Sequence, residues 1–186
     1  MMAYLDQGEF FNDFADYDVH VEVPPGYTVA ATGVLNSKTT EGGMVDWHFQ
    51  AENVIDFAWF TSPAFRHEKY TGVVAGQNKV DLNVYYDPRD SVLWSKAGVY
   101  AARALEFYSD WLGAYPYQQM SVVSAPLSAG GGMEYPMVAQ IGYMEDAASL
   151  DLVIAHEIGH TWLYGILANN ERAHPWMDEG LNSFIE

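Results

Sequence analysis

The hydrophobic period of the chain first changes at Asp87, and this change constrains the fold more than any other feature of the sequence. Before Asp87, apolar residues alternate with polar ones. Val19, Val21 and Val23 alternate with His20 and Glu22, a half-buried strand that Pro24-Pro25-Gly26 ends. Tyr27–Ala31 reads as a second short strand closed by Thr32-Gly33, and residues 36–43 (NSKTTEGG) as a polar turn. Val45, Trp47 and Phe49 alternate again, Ile55–Phe60 is denser, and Val80, Leu82, Val84 and Tyr86 supply one more alternation. Strands at this spacing, with turn signals between them, suggest part of a β-sandwich.

After Asp87 the spacing becomes helical. Asp87-Pro88-Arg89-Asp90 has a capping Asp, a proline at the first helical position and an acid in the first turn. Leu93, Ala97, Tyr100, Ala104, Tyr108 and Trp111 follow at helical spacing, and Gly113 closes the helix. A short strand is expected around Ser121–Ala125. A glycine-rich segment, Gly130-Gly131-Gly132-Met133-Glu134-Tyr135-Pro136, then leads into a second extended stretch, Val138–Met144. A second helix is expected from about Ser149 to Leu167 and a third from near Pro175. Leu181–Glu186 holds no glycine, proline or capping signal, so the 186 residues are expected to be a slice of a longer protein. The composition shift near residues 66–80 is the best place for a boundary. Strands first and helices after give an α+β class.

Composition narrows the chemistry. Eight Lys and Arg against 25 Asp and Glu leave a formal charge of −17, which argues against a nucleic-acid partner and against docking on an anionic membrane. With 49% hydrophobic residues the chain is far too apolar to be a disordered acidic tail. No apolar run is long enough to span a bilayer. Met1 to Phe14 lacks a basic n-region and a clean apolar core, so it does not read as a signal peptide. The compartment and the oligomeric state are not legible. There is no cysteine, so any metal site must use His, Asp or Glu.

Such residues occur in the second helix as His156-Glu157-Ile158-Gly159-His160. Two histidines four apart lie on one face, about 6 Å apart along the axis. Both can therefore reach one ion at about 2.0–2.1 Å. Glu157, about 100° around the helix, can stand beside the metal without ligating it, where a general base for water belongs. A third ligand, usually a carboxylate, completes an open site. Glu179 lies after a spacer of 18 residues, enough to finish one helix, turn through Asn169-Asn170 and return a second helix antiparallel to it. The alternative is a pair of ordinary half-buried histidines. The apolar character of the helix counts against that, because burying two His and a Glu without a partner is costly.

HExxH, an 18-residue spacer and a Glu inside Trp176-Met177-Asp178-Glu179-Gly180 together resemble the aminopeptidase N-type zinc metallopeptidases, or gluzincins. Gly131-Gly132-Met133-Glu134-Tyr135 resembles their G-x-M-E-N exopeptidase motif, with Tyr135 where Asn is commoner. The resemblance implies one Zn²⁺ held by His156, His160 and Glu179, with Glu157 activating the water. It implies an edge strand carrying Gly131, Gly132 and Met133 that aligns a peptide, and Glu134 holding its free α-amine. It also implies that residues 1–68 are the C-terminal part of a β-sandwich domain and 69–186 the N-terminal half of a thermolysin-like metallopeptidase domain.

The expected function is removal of the N-terminal residue from peptides that have a free N-terminus. The alternatives are a zinc endopeptidase using the same metal site and a scaffold without activity. The family's transition-state tyrosine and its second amine-binding side chain would lie outside the chain, so the chain alone is expected to be poorly active. Glu186, seven residues after Glu179, is a candidate to orient a ligating histidine, although a solvated acid fits as well. Asp178 reads as helix N-terminal charge pointing elsewhere. His174 reads as structural, and His20, His48 and His67 read as surface positions. Trp94, Trp111, Trp162 and Trp176 are most simply core.

Overall fold

The computed structural model describes residues 10–128 and 130–186. The reading of Met1 to Phe14 therefore falls largely on residues 1–9, outside the described residues. Among the described residues, three sheets and four α-helices follow in order. Strands β1 (Ala15–Val23), β2 (Thr28–Ala31), β3 (Val34–Glu41), β4 (Met44–Val54) and β5 (Trp59–Ser62) come first. Strands β6 (Arg66–Ala75) and β7 (Asn78–Tyr86) precede helices α1 (Ser91–Trp94) and α2 (Ala97–Leu112). The chain then runs through β8 (Gln119–Ser124), β9 (Gly132–Tyr135), β10 (Val138–Ile141), α3 (Ala147–His160) and α4 (Leu181–Ile185).

The first sheet has the antiparallel order β1-β4-β3, and β2 pairs with β5 in a separate ribbon. Alternation in β1 and β4 turns Val21, Val23, Val45, Trp47 and Phe49 inward against Val29 and Ala31 of β2. The polar stretch 36–43 is not a turn. Most of it is β3, whose outward-facing, largely exposed residues hide its strand character. The turn is only Gly42-Gly43, both at positive φ (+59° and +85°), as a two-residue hairpin loop requires. Strand β6 has no expectation behind it, because its exposed, charged sequence shows no apolar alternation. It runs continuously across positions 68 and 69.

The third sheet has the order β6-β7-β8-β10-β9. β7 and β8, and β8 and β10, pair in parallel, which demands crossovers; α1 and α2 supply the first. One face of this sheet, through Leu82, Val84, Val122, Ala139 and Ile141, packs on Ala101, Leu105 and Tyr108 of α2 and on Leu150, Ile154 and Ile158 of α3. The other face, through Tyr85, Val123 and Val138, packs on Ala30 of β2. Being covered on both faces explains why β8 and β10 are buried almost throughout, Gln119, Ser121 and Gln140 included. Trp94 and Trp162 lie in this core, but Trp111 and Trp176 are 68% and 62% exposed, so two of the four tryptophans expected inside are on the surface. Among the described residues, no helix is long and apolar enough to cross a membrane.

Candidate metal centre

Helix α3 starts where Asp146 caps it. The carboxylate accepts from the amides of Ala148 and Ser149 at 2.8 and 2.9 Å, and these bonds pull its pKa down. From that start, His156 and His160 fall one turn apart on one face. Past His160 the helix widens into a π-helical turn, Thr161–Gly165, in which the Ile166 amide donates to the Thr161 carbonyl at 2.9 Å. The chain reverses through Ala168, at φ +46°, and returns at Pro175 through a second π-helical turn, Trp176–Gly180, into α4.

The reversal brings three donors together. The Nε2 atoms of His156 and His160 are 3.0 Å apart, and Glu179 Oε2 lies 3.3 Å from the first and 3.9 Å from the second. His160 is 1% exposed and His156 is half-buried. Each ring is oriented through its other nitrogen. His156 Nδ1 donates to Glu186 Oε2 at 2.9 Å, and His160 Nδ1 donates to the Asp178 carboxylate. These bonds leave both Nε2 lone pairs facing one point beside a carboxylate oxygen. In a tetrahedral zinc site, donors at about 2.0–2.1 Å from the ion stand about 3.3 Å from one another, so this donor set fits a zinc ion. Burial pulls the His156 imidazole down, but the carboxylates of Glu179, Glu157 and Glu186 push it up further, to about 9. Glu179 is held below the usual carboxylate range, first by its hydrogen bond to His156.

Asp178 does not point elsewhere. It is fully buried against His160, and burial raises its pKa less than the hydrogen bonds with His160 and Glu171 lower it. The reason for the difference is the chain reversal after α3, which returns Asp178 against the Nδ1 side of His160, a contact 18 positions apart in sequence. Sequence reasoning also passed over Glu171, Tyr164 and Asn182. Glu171 is fully buried, accepts from the Phe10 amide at 2.9 Å and hydrogen-bonds Tyr164. Asn182 donates to the His156 carbonyl at 2.7 Å and accepts from the Tyr108 hydroxyl at 3.2 Å, tying α4 and α2 to the histidine turn. Asn182, among Leu181, Phe184 and Ile185, was the available signal; Glu171 stands in a polar stretch and gave none. His174 is exposed and outside the cluster.

The glycine-rich strand completes the surroundings. β9 pairs with β10 on one side only and forms the edge of the sheet. Gly132 packs directly on Glu157: a Cβ there would stand 2.5 Å from the Cγ, Cδ and Oε1 atoms of that side chain. Glu157 is 5% exposed. The carboxylate of Glu134 lies within 4.8 Å of His160 and Asp178, all three being buried. Met133 is half-buried and Gly131 is exposed at φ +69°.

The fold is similar to that of solved zinc metallopeptidases, and the three donors stand where one ion could reach them all. The comparisons with known proteins point the same way, although no family model matches the chain. Aminopeptidase M1-C of Oryza sativa subsp. japonica is 22% identical over 92% of the chain and 21% of the relative's length. Leukotriene A-4 hydrolase of Xenopus laevis is 31% identical over 45% of the chain and 14% of its own length. The solved M1 zinc metallopeptidase of Deinococcus radiodurans superposes with a TM-score of 0.76 at 21% identity, over 94% of the chain and 40% of the solved one. A mutant form of that metallopeptidase bound to a Tyr-ser-ala substrate matches with a TM-score of 0.74. The resemblance read from the motifs thus holds in sequence and in fold. The chain spans about a fifth of the length of the relative it matches along most of itself.

Proposed function

We propose that the protein containing this chain is a zinc-dependent aminopeptidase, with His156, His160 and Glu179 holding one zinc ion. The observation that carries the reading is the convergence of two imidazole nitrogens and one carboxylate oxygen within 3.9 Å of one another, each imidazole braced from behind by a carboxylate. When bound, zinc polarises a scissile carbonyl and acidifies water. Glu157, buried beside the donors, takes a proton from the attacking water and returns it to the leaving amine. The open edge of β9 pairs with the substrate backbone and holds it extended. Glu134 offers a carboxylate to the substrate's protonated α-amine, which would limit cleavage to the first residue.

The test compares an aminoacyl arylamide with its N-acetylated counterpart on the longest polypeptide that carries the chain, alongside zinc analysis. Hydrolysis of the free-amine substrate alone is expected, with zinc retained and turnover lowered about 10²–10⁴-fold in Glu157→Gln. Equal cleavage of the acetylated substrate would make the protein an endopeptidase. Stoichiometric zinc and undiminished activity after His156→Ala would sink the site assignment, and absence of zinc from the intact protein would leave a scaffold.

A further inference from the structure

The support behind His160 does not stop at Asp178. Glu171 lies in the reversal between the two π-helical turns and is fully buried. Three groups from separate parts of the chain meet its carboxyl. The Phe10 amide donates to Oε1 at 2.9 Å, Tyr164 of the first π-helical turn hydrogen-bonds it, and so does Asp178. The amide is itself held, because the Phe10 ring stacks on Tyr135 of β9 with centroids 5.9 Å apart. Asp178 in turn accepts from His160 Nδ1. A continuous line of buried groups therefore runs from the Phe10 amide through Glu171 and Asp178 to the His160 imidazole.

We propose that Glu171 is a positioning residue for the zinc centre, holding Asp178 in place and through it the His160 ring; the inference rests on the zinc reading given above. Taking a carboxyl group wholly out of water is costly, and an apolar side chain would fill the same space without that cost. Here the group is met by three partners, and one of them is the acid that orients a metal donor. An aspartate that accepts through one oxygen can still swivel. A second hydrogen bond, from Glu171, fixes the plane of the Asp178 carboxylate and so the direction in which His160 Nε2 points. The two histidines differ in this respect. The acid behind His156 is Glu186, whose side chain is 20% exposed, whereas the whole line behind His160 is shut away from water. A hydrogen bond between two carboxyl groups needs a donor on one of them. Glutamine at 171 offers an amide N–H to Asp178 and keeps an oxygen for the Phe10 amide. Methionine has a similar length and offers neither.

Chelator competition on the intact protein measures zinc affinity, and NMR of the metal-free protein at fixed pH reads the His160 Nδ1–H signal. Glu171→Met is expected to weaken zinc binding about tenfold and to broaden that signal as the ring gains freedom, with far-UV circular dichroism unchanged. Glu171→Gln is expected to restore both to the wild-type values. In an Asp178→Ala background, Glu171→Met is expected to bring no further loss, because its effect passes through Asp178. Wild-type affinity with an unaltered His160 signal in Glu171→Met would overturn the proposal, as would additive losses in the double variant. If Glu171→Met does not fold, Glu171→Gln decides: a tenfold loss in a folded protein overturns the proposal, and unchanged affinity with a sharp His160 signal supports it. A wild type that holds no zinc would sink the metal reading and this inference with it. Zinc held equally well by the wild type and Glu171→Met would sink this inference alone.

Discussion

Gly132 shows how much one missing methyl can matter. Its backbone touches Glu157 so closely that any side chain would displace the carboxylate, while Gly131, one residue earlier, faces open space at φ +69°. The two substitutions therefore separate. Gly132→Ala is expected to lower turnover about 10²-fold, because a displacement near 1 Å of a proton-transferring group costs that much, while zinc content stays unchanged. Gly131→Ala is expected to leave Glu157 in place and to cost stability through left-handed backbone strain, about 1–2 kcal/mol. Steady-state kinetics with zinc analysis measures the first, and urea unfolding the second. Equal kinetic effects of the two would rule out the contact with Glu157 as the cause. The same contact explains a limit of reading the motif alone. Spacing suggests that glycines line a peptide, but only the packing of β9 on α3 shows that one of them also makes room for the candidate base.

Helix starts dominate at the scale of elements. Asp87 accepts from the Arg89 amide at 2.9 Å and pairs with its guanidinium, and these contacts hold its pKa at about 2. Its folded pKa is depressed, so its contribution to stability is present above the ordinary aspartate value near 3.8 and is lost as pH falls through about 2. Asp87→Ala is thus expected to melt below the wild type at pH 7, with the gap closing toward pH 2. A gap independent of pH would assign the effect to something other than the ionised cap. The Asn182 side chain links three helices, and Asn182→Ala is expected to cost about 1–3 kcal/mol in urea unfolding, because the buried Tyr108 hydroxyl loses its acceptor and the His156 carbonyl a donor.

The first helix and its capping signals were legible because they depend on local residues: Asp87, Pro88 and Gly113 act within a turn of where they stand. β3 and β6 were not, since their strand character comes from pairing partners instead of from their own alternation. The spacing of His156, His160 and Glu179 allowed their side chains to meet, and the fold does bring those donor atoms together. Asp178 was misread because its direction is set by His160, 18 positions away, which no local pattern announces.

Across the molecule, a single amide joins the first sheets to the five-stranded one. Gln119 Nε2 lies 3.3 Å from the Ala31 carbonyl, 2.9 Å from that of Gly33 and 3.2 Å from that of Met137, binding the end of β2 to the sheet that carries the glycine-rich strand. Gln119→Ala is expected to cost about 1–3 kcal/mol and to broaden the unfolding transition as the two parts lose their coupling. A calorimetric trace as sharp as the wild type's would show that apolar packing through Ala30, Tyr85 and Val138 suffices. The edge strand β9 carries a consequence of its own. It offers four residues of unpaired backbone beside buried acids, too short and too negatively surrounded to recruit another sheet. Under the proposed function, what such an edge would accept is a terminus already released from any fold, so selection there would act on the looseness of the incoming chain before it acts on side-chain identity.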